Sequence, residues 1–167
     1  MTRSHFTATA FVVDHGRTLL HWHKKLQQWM PPGGHLLPDE DPVTGALREV
    51  REETGLRVEL LPLTHRYHFE RPQQLAPPQA ILLETSAEAG EPHQHIDLIY
   101  FARPVEGEAL RPLPEIDSWR WVTKDELANR EALPLADGGS AAVPDDVREL
   151  ALAALRAEES TRSQIRR

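Results

Sequence analysis

Hydrophobic and polar positions alternate in strand-like fashion at the start of the chain. Residues 6–13 form an apolar, β-rich run, turn-forming residues occupy 14–17, and residues 18–23 complete a predicted hairpin. The Pro-Pro-Gly-Gly run at 31–34 is a strong break in this pattern. Further strand candidates lie at residues 56–63, 65–69, 80–85, 95–102 and 119–122. Loops are predicted at residues 71–78 and 86–94.

A helix with clear signals at both ends is predicted in the first third of the chain. Asp41 is a good N-cap and Pro42 suits the first helical position. Gly55 follows Thr54 and is typical of a helix C-terminus, because glycine adopts the left-handed conformation at little cost. The sequence therefore predicts a helix from Pro42 to about Thr54.

Two more helices are predicted near the end of the chain. Thr123 and Glu126 have the spacing of a capping box, which indicates that a short helix begins there. Apolar residues follow helical spacing over 145–157, and residues 158–167 are expected to form a flexible tail. The order of strands and helices predicts a mixed α/β (α+β) fold in a single domain over residues 1–157.

Composition narrows the class of protein. The 167 residues are 40% hydrophobic and 27% charged, as in ordinary globular domains. The absence of cysteine excludes disulfides, thiolate metal sites and cysteine nucleophiles. The net charge of -7 disfavours an extended nucleic-acid-binding surface, although a bound cation would still permit a small phosphorylated substrate. No apolar run approaches the roughly 18 residues needed to span a bilayer, and the N-terminus lacks an apolar signal core, so we expect a cytoplasmic protein without membrane association.

Three acidic residues of the first predicted helix share one face. Glu49, Glu52 and Glu53 have i, i+3, i+4 spacing, at which like charges repel. Such a face is either simply solvated or a site for a hard cation such as Mg²⁺ or Mn²⁺, which prefers oxygen ligands. Arg48 is placed to pair with Glu49 or Glu52, and the glycine turn at 31–34 would bring backbone carbonyls close.

The segment from Gly34 to Leu56 resembles the signature motif of the MutT-like Nudix hydrolases. The match includes every defining position of that motif: Gly34, Glu40, Arg48, Glu49, Val50, Glu52, Glu53, Gly55 and Leu56. The resemblance implies the Nudix fold, a mixed β-sheet sandwiched between α-helices. It also implies divalent-metal-dependent hydrolysis of a diphosphate bond in a nucleoside diphosphate linked to another moiety, by attack of a metal-activated water on phosphorus.

The same resemblance implies roles for individual residues. Glu49, Glu52, Glu53 and the backbone carbonyl of Gly33 become ligands of Mg²⁺ or Mn²⁺, and Arg48 and Glu40 support them. Glu53 or Glu52 is a candidate for the base that removes a proton from water. Because relatives differ in where this base lies, two acids of a later loop are alternatives: Glu115 and Asp117. A homodimer is a further expectation by resemblance.

Three positions depart from what many relatives carry. Leu37 stands where they have Glu, which leaves the number of bound metal ions open, and Asp39 stands where they have Gly. Gly45 lies inside the predicted helix, where relatives often carry Ala. Glycine there costs about 0.5–1 kcal/mol of helix propensity unless close packing requires it.

Nine histidines are an unusually large number for a chain of this length. His21 and His23 share one face of a predicted strand, His35 follows the glycine turn, and His93 and His95 flank Gln94. They are candidates for a transition-metal site, for contacts to phosphate or substrate, or for ordinary surface residues. As substrate contacts we single out His21, His23, His35 and His95.

Two functions remain open from the sequence. The first is the hydrolase described above, acting on a small nucleotide or nucleotide derivative, with a free nucleotide slightly preferred over capped RNA. Nucleoside triphosphates, damaged nucleotides, ADP-ribose, nucleotide sugars and dinucleoside polyphosphates are all compatible with the motif. The second is a non-catalytic Nudix domain that senses a nucleotide. Sensors of this kind usually lose acids of the motif, and this chain retains all of them.

Overall fold

The computed structural model describes residues 4–65, 67, 70–86, 93–108 and 118–165, without the side chains of residues 86 and 165. In chain order the elements are β1 (Ser4–Asp14), β2 (Arg17–His23), β3 (Gln28–Met30), β4 (Gly33–His35), α1 (Pro42–Thr54), β5 (Val58–Leu60), β6 (Ala80–Ser86), β7 (His93–Pro104), β8 (Trp119–Thr123), α2 (Lys124–Ala128), β9 (Leu133–Pro134), β10 (Ser140–Ala141) and α3 (Asp145–Ile165). The mixture of strands and helices confirms the predicted α+β class.

The main sheet is mixed, with β1 and β7 at its centre. These two strands run parallel, from the pair Ser4 and Gln94 to the pair Val12 and Ala102. The sheet has the order β3-β2-β1-β7-β5, while β4 also pairs with β1, β6 with β7 and β8 with β2. All these other pairs are antiparallel, and β9 and β10 form a separate two-stranded sheet.

Each face of the main sheet packs against a helix. On one face, Ala46 and Val50 of α1 lie in a core with alternate residues of β1. On the other face, Ala151 and Leu155 of α3 pack with Phe11 and other apolar residues. The predicted sandwich of a sheet between helices is thus confirmed. No helix in the described part of the chain is long and apolar enough to cross a membrane.

Helix α1 has the two ends that the sequence predicted. The Asp41 carboxylate accepts hydrogen bonds from the backbone N–H groups of Val43 and Thr44, which have no partner within the helix. Gly55 has φ of 74° and donates its N–H to the carbonyl of Arg51. The predicted capping box of α2 is also present, with Thr123 and Glu126 bonding reciprocally.

Helix α3 continues where the sequence predicted a flexible tail. It extends to Ile165, and Glu158 and Thr161 are buried. The Glu158 carboxylate accepts hydrogen bonds from the backbone N–H groups of His15 and Gly16 in the β1–β2 turn. The helical extension is stabilised by these distant partners, which no local pattern in a polar segment reveals.

Several predicted strand boundaries are corrected. Strand β5 covers only Val58–Leu60 of the predicted 56–63, and Pro62 just beyond it has no N–H to donate to a neighbouring strand. The predicted strand at 65–69 is not formed at residues 65 and 67, and the rest of it lies outside the described residues. β7 begins at His93, inside the predicted loop 86–94. The glycine turn was predicted only as a break, yet its second half forms β4 against β1.

Candidate active site

The acidic face of α1 lies against the glycine turn that leads into β4. The Glu53 carboxylate accepts a hydrogen bond from the backbone N–H of Gly33, with an N–O distance of 3.2 Å. A Cβ atom at Gly34 would lie 2.7 Å from the Glu49 carboxylate, so only glycine permits this approach. The turn and the acidic face of the helix are therefore in direct contact.

Arg48 holds the neighbouring carboxylates in position. Its Nε and Nη2 atoms donate to both oxygens of Glu40 at 2.8 and 2.9 Å. Its Nη1 donates to one oxygen of Glu49 at 2.8 Å and to one oxygen of Glu52 at 2.9 Å. Nη2 also donates to the backbone carbonyl of His35. The guanidinium thus connects the helix, the glycine turn and the loop between them.

Close packing explains the glycine inside α1. A Cβ atom at Gly45 would lie 2.3 Å from Cδ2 of Leu36 and 3.1 Å from Oε2 of Glu40. A side chain at residue 45 would therefore require the ends of the Leu36 and Glu40 side chains to shift. The loss of helix propensity is the cost of placing Glu40 within reach of Arg48.

The Glu53 carboxyl is an unusual acid. Its pKa is raised to about 7, mainly by burial and also by the negative charges of Glu49 and Glu52, while the hydrogen bond from Gly33 opposes the shift. Hard carboxylate oxygens close to a buried, like-charged neighbour suit a divalent cation, which would relieve the repulsion. Within the described residues, no three His, Asp or Glu side chains already form a complete metal-binding set.

A cleft of about 710 Å³ begins at the glycine turn. Its floor includes Asp97 of β7, which is 7% exposed and accepts hydrogen bonds from the hydroxyls of Thr7 and Thr9. Burial raises the pKa of Asp97, and the two threonine hydroxyls oppose the shift. Glu84 of β6 also lines the cleft, and its pKa is raised by burial and by the charge of Asp97. One side of the cleft is therefore acidic.

The four histidines predicted as substrate contacts all line this cleft, but they fall into two places. His35 and His95 lie together, with ring centroids 4.8 Å apart. The His21 ring instead packs on the rings of Trp119 and His23, with centroids 4.6 and 5.8 Å away. Burial and, to a smaller extent, the neighbouring charge of His23 together lower the pKa of His21 to about 4, so His21 is neutral at pH 7.

Some residues in or near the cleft were not predicted from the sequence. His5 lies beside the cleft residue His35, with ring centroids 5.6 Å apart, and its ring centroid is 5.5 Å from that of His93. Glu84 and the two threonines that bond Asp97 were also missed. Their only sequence signal is the shared two-residue period of β1 and β7, which becomes informative once the two strands are known to be neighbours.

The remaining positions named from the sequence are the two loop acids and the departures at residues 37 and 39. The loop acids Glu115 and Asp117 lie outside the described residues. Leu37, where many relatives have an acid, is exposed. Asp39 has φ of 63°, in the left-handed region that favours glycine, which gives a physical reason for the glycine that many relatives carry there.

Comparison with known families decides the assignment. Residues 3–143 match the family model described as the NUDIX domain. The chain belongs to the Nudix family. A Nudix hydrolase structure from Clostridium perfringens covers 93% of this chain and 98% of its own, with 27% identity and a TM-score of 0.70. The chain is therefore a Nudix hydrolase, from a family that acts on pyrophosphate bonds of nucleotide derivatives.

Two curated relatives are similar to this chain over more than half of its length. A MutT-like protein from Streptomyces ambofaciens is 32% identical over 130 residues, which are 77% of this chain and 70% of that protein. An RNA pyrophosphohydrolase from Rickettsia bellii is 32% identical over 106 residues, which are 62% of this chain and 63% of that protein. Because the second match spans less than two thirds of the relative, its activity does not transfer by similarity alone.

Proposed function

We propose that this Nudix hydrolase cleaves a phosphoanhydride bond in a nucleoside diphosphate linked to another moiety, with Mg²⁺ or Mn²⁺ as cofactor. The observation that carries the proposal is the contact between Glu53 and Gly33, where a buried carboxylate meets a backbone turn at the edge of a nucleotide-sized cleft. Clefts of 300–1,000 Å³ are typical of small-molecule sites.

Glu49, Glu52 and Glu53, with the backbone carbonyl of Gly33, would hold the metal ion. Bound there, the ion would neutralise phosphate charge and lower the pKa of a water molecule. The hydrogen bonds of Arg48 engage only one oxygen of Glu49 and one of Glu52, so they do not occupy the whole carboxylate of either residue. The donor set therefore fits the cation that the family implies.

Glu53 is our first candidate for the general base, with Glu52 as the alternative. The Glu53 carboxylate contacts the glycine turn that lines the cleft, where the substrate would bind. Arg48 and Glu40 act as positioning residues, since Arg48 bonds Glu52 and the backbone carbonyl of His35 and Glu40 holds the guanidinium in place. The loop acids Glu115 and Asp117 stay alternative bases, to be tested by substitution.

The substrate we propose is a free nucleotide or small nucleotide derivative. The chain's net charge of -7 disfavours an extended surface for a long polyanion such as RNA. The relative named as a bis(5'-nucleosyl)-tetraphosphatase supports a small substrate, whereas those named as an mRNA hydrolase and as RNA pyrophosphohydrolases support the alternative. A homodimer and a cytoplasmic location stay predictions.

The decisive experiment is a substrate panel with purified protein. Nucleoside triphosphates, oxidised nucleotides, ADP-ribose, nucleotide sugars, dinucleoside polyphosphates and 5'-triphosphate RNA are incubated with Mg²⁺, with Mn²⁺ or with chelator, and released phosphate and nucleoside monophosphate are assayed. We expect metal-dependent turnover of a small substrate, reduced at least about 100-fold in Glu53→Gln.

The matched control is Glu59→Gln, which removes an acid that pairs with Arg103 on an exposed edge of the sheet. It should retain full turnover. Equal activity of wild type and Glu53→Gln would refute the role of Glu53. Nucleotide binding without turnover of any substrate would instead favour the sensing function.

A further inference from the structure

Four histidine side chains meet on one face of the sheet, and two of them, His35 and His95, line the cleft. His5 lies directly beside His95 in the parallel pairing of β1 and β7, and His35 lies opposite Thr7, two residues along from His5. His93 and His95 are two residues apart on β7. Since side chains at even spacing point to the same face of a strand, all four imidazoles project to the same side.

The imidazole rings are close enough to share a ligand. Ring centroids of His35 and His95 are 4.8 Å apart, as are those of His93 and His95. His5 lies 5.5 Å from His93, 5.6 Å from His35 and 6.5 Å from His95. The cluster is contributed by three strands, so the rigid sheet, rather than a single loop, determines its geometry.

One distance within the cluster is informative. The Nε2 atoms of His93 and His95 are 3.0 Å apart. Two nitrogen ligands bonded to one tetrahedral zinc ion at 2.0–2.1 Å stand roughly 3.3 Å apart. A hydrogen bond between these two rings also explains a short contact, but it would not explain why two further imidazoles approach the same pair.

Acidic neighbours favour a cation over a phosphate at this cluster. Glu84 lies opposite His95 in the pairing of β6 with β7, and Asp97 follows His95 by two residues on the same face. A phosphate bound to the histidines would be repelled by both carboxylates. Metal-binding histidines, by contrast, commonly have carboxylate partners that orient the ring.

We propose that His5, His35, His93 and His95 bind a borderline transition-metal ion such as Zn²⁺, at a site separate from the carboxylates of α1. Imidazole nitrogen is a good ligand for Zn²⁺, Co²⁺ and Ni²⁺, whereas carboxylate oxygen suits Mg²⁺ and Mn²⁺, so the two sites select different ions. Because no complete three-ligand set is formed in the described residues, binding requires rotation of the rings on their fixed strands.

The site does not depend on the proposed hydrolase activity, and its test uses binding alone. Chelator-treated protein is titrated with Zn²⁺ by calorimetry in the presence of excess Mg²⁺, which keeps the carboxylates of α1 occupied. Co²⁺ is then added as a spectroscopic probe, because tetrahedral nitrogen coordination intensifies its visible absorption relative to the hydrated ion. We expect one equivalent of Zn²⁺ and a tetrahedral Co²⁺ spectrum.

Substitution of the histidines tests where Zn²⁺ binds. The double change His93→Ala, His95→Ala and the single change His5→Ala should each weaken Zn²⁺ binding by at least about 10-fold. Because His5 is exposed, the single variant should fold normally and tests the site even if the double variant misfolds. Thermal unfolding without metal checks that both variants are folded. His65→Ala removes an exposed histidine away from the cluster and should bind Zn²⁺ as wild type does.

Two results would overturn the proposal. One is Zn²⁺ binding that survives the His5 and His93/His95 changes, or that is lost in Glu53→Gln, since the ion would then lie elsewhere. The other is absence of Zn²⁺ binding in wild-type protein, with or without binding of inorganic phosphate by the histidines.

Discussion

Arg48 and Glu40 form a bidentate ion pair between α1 and the loop that precedes it, with N–O distances of 2.8 and 2.9 Å. The Glu40 side chain is buried to 8% exposure, and the Arg48 guanidinium holds the pKa of this carboxyl below its usual value. Lysine carries the same charge but cannot donate two parallel hydrogen bonds and still reach Glu49 and Glu52.

Replacement of Arg48 by lysine should therefore lower kcat by about 10–100-fold while the protein remains folded. The cause is loss of alignment of the acids rather than loss of charge. Steady-state kinetics with the substrate found in the panel, together with thermal unfolding, provide the measurement. The matched change Arg51→Lys, on the exposed part of the same helix, should leave kcat within about twofold; wild-type kinetics in Arg48→Lys would contradict the positioning role.

The buried His21 should make the protein less stable in mild acid. Its pKa falls from 6.5 to about 4 on folding, so between these values the unfolded chain binds more protons than the folded one. The free energy of unfolding should therefore fall as the pH drops from 6.5 to 4, by roughly 3 kcal/mol from this residue. Below pH 4 its contribution stays constant.

Urea unfolding at several pH values compares wild type with His21→Gln, which cannot titrate. The variant should show a shallower loss of stability between pH 6.5 and 4, whereas His65→Gln should follow the wild-type curve. Parallel curves for wild type and His21→Gln would show that His21 is not a source of the acid sensitivity.

The left-handed conformation of Asp39 offers a stabilising change. Its φ of 63° is less costly for glycine than for any residue with a Cβ atom, and the side chain is exposed. Asp39→Gly should raise the free energy of unfolding by roughly 0.5–1 kcal/mol, and Asp39→Ala should lower it. Urea unfolding of the three proteins gives the ranking. If Asp39→Ala proved the most stable, the backbone at this position would not be left-handed.

The link between Glu158 and the β1–β2 turn should contribute strongly to stability. Glutamine keeps only one acceptor, so in Glu158→Gln one of the two backbone N–H groups loses its partner. We expect a loss of about 2 kcal/mol in the free energy of unfolding. Glu159→Gln is the control, because Glu159 forms an exposed pair with Lys124, and such pairs are worth less than about 1 kcal/mol. Equal losses in both variants would contradict the link.

Local interactions explain what the sequence predicted well. Helix α1 was predicted with both of its ends, because Asp41 and Gly55 act through hydrogen bonds within a few residues. The shared face of Glu49, Glu52 and Glu53 follows from helical periodicity alone. The acids of the candidate site could therefore be identified without any knowledge of the rest of the chain.

Long-range pairing explains what the sequence did not predict. His5 and His95 are neighbours only because β1 and β7 run side by side and parallel, 90 positions apart. The burial of Asp97 by the threonines of β1 depends on the same pairing. A two-residue period shows which side chains share a face of one strand, but it does not show which strand lies next to it.

The Glu158 link also affects the time at which the fold can be completed during synthesis. Glu158 bonds to the backbone of Gly16, which is 142 positions earlier in the chain. At the usual rates of translation, on the order of ten seconds pass between synthesis of the β1–β2 turn and synthesis of Glu158. Over that interval the amide groups of the turn remain exposed to water and to other proteins in a nascent chain whose hairpin can already have formed.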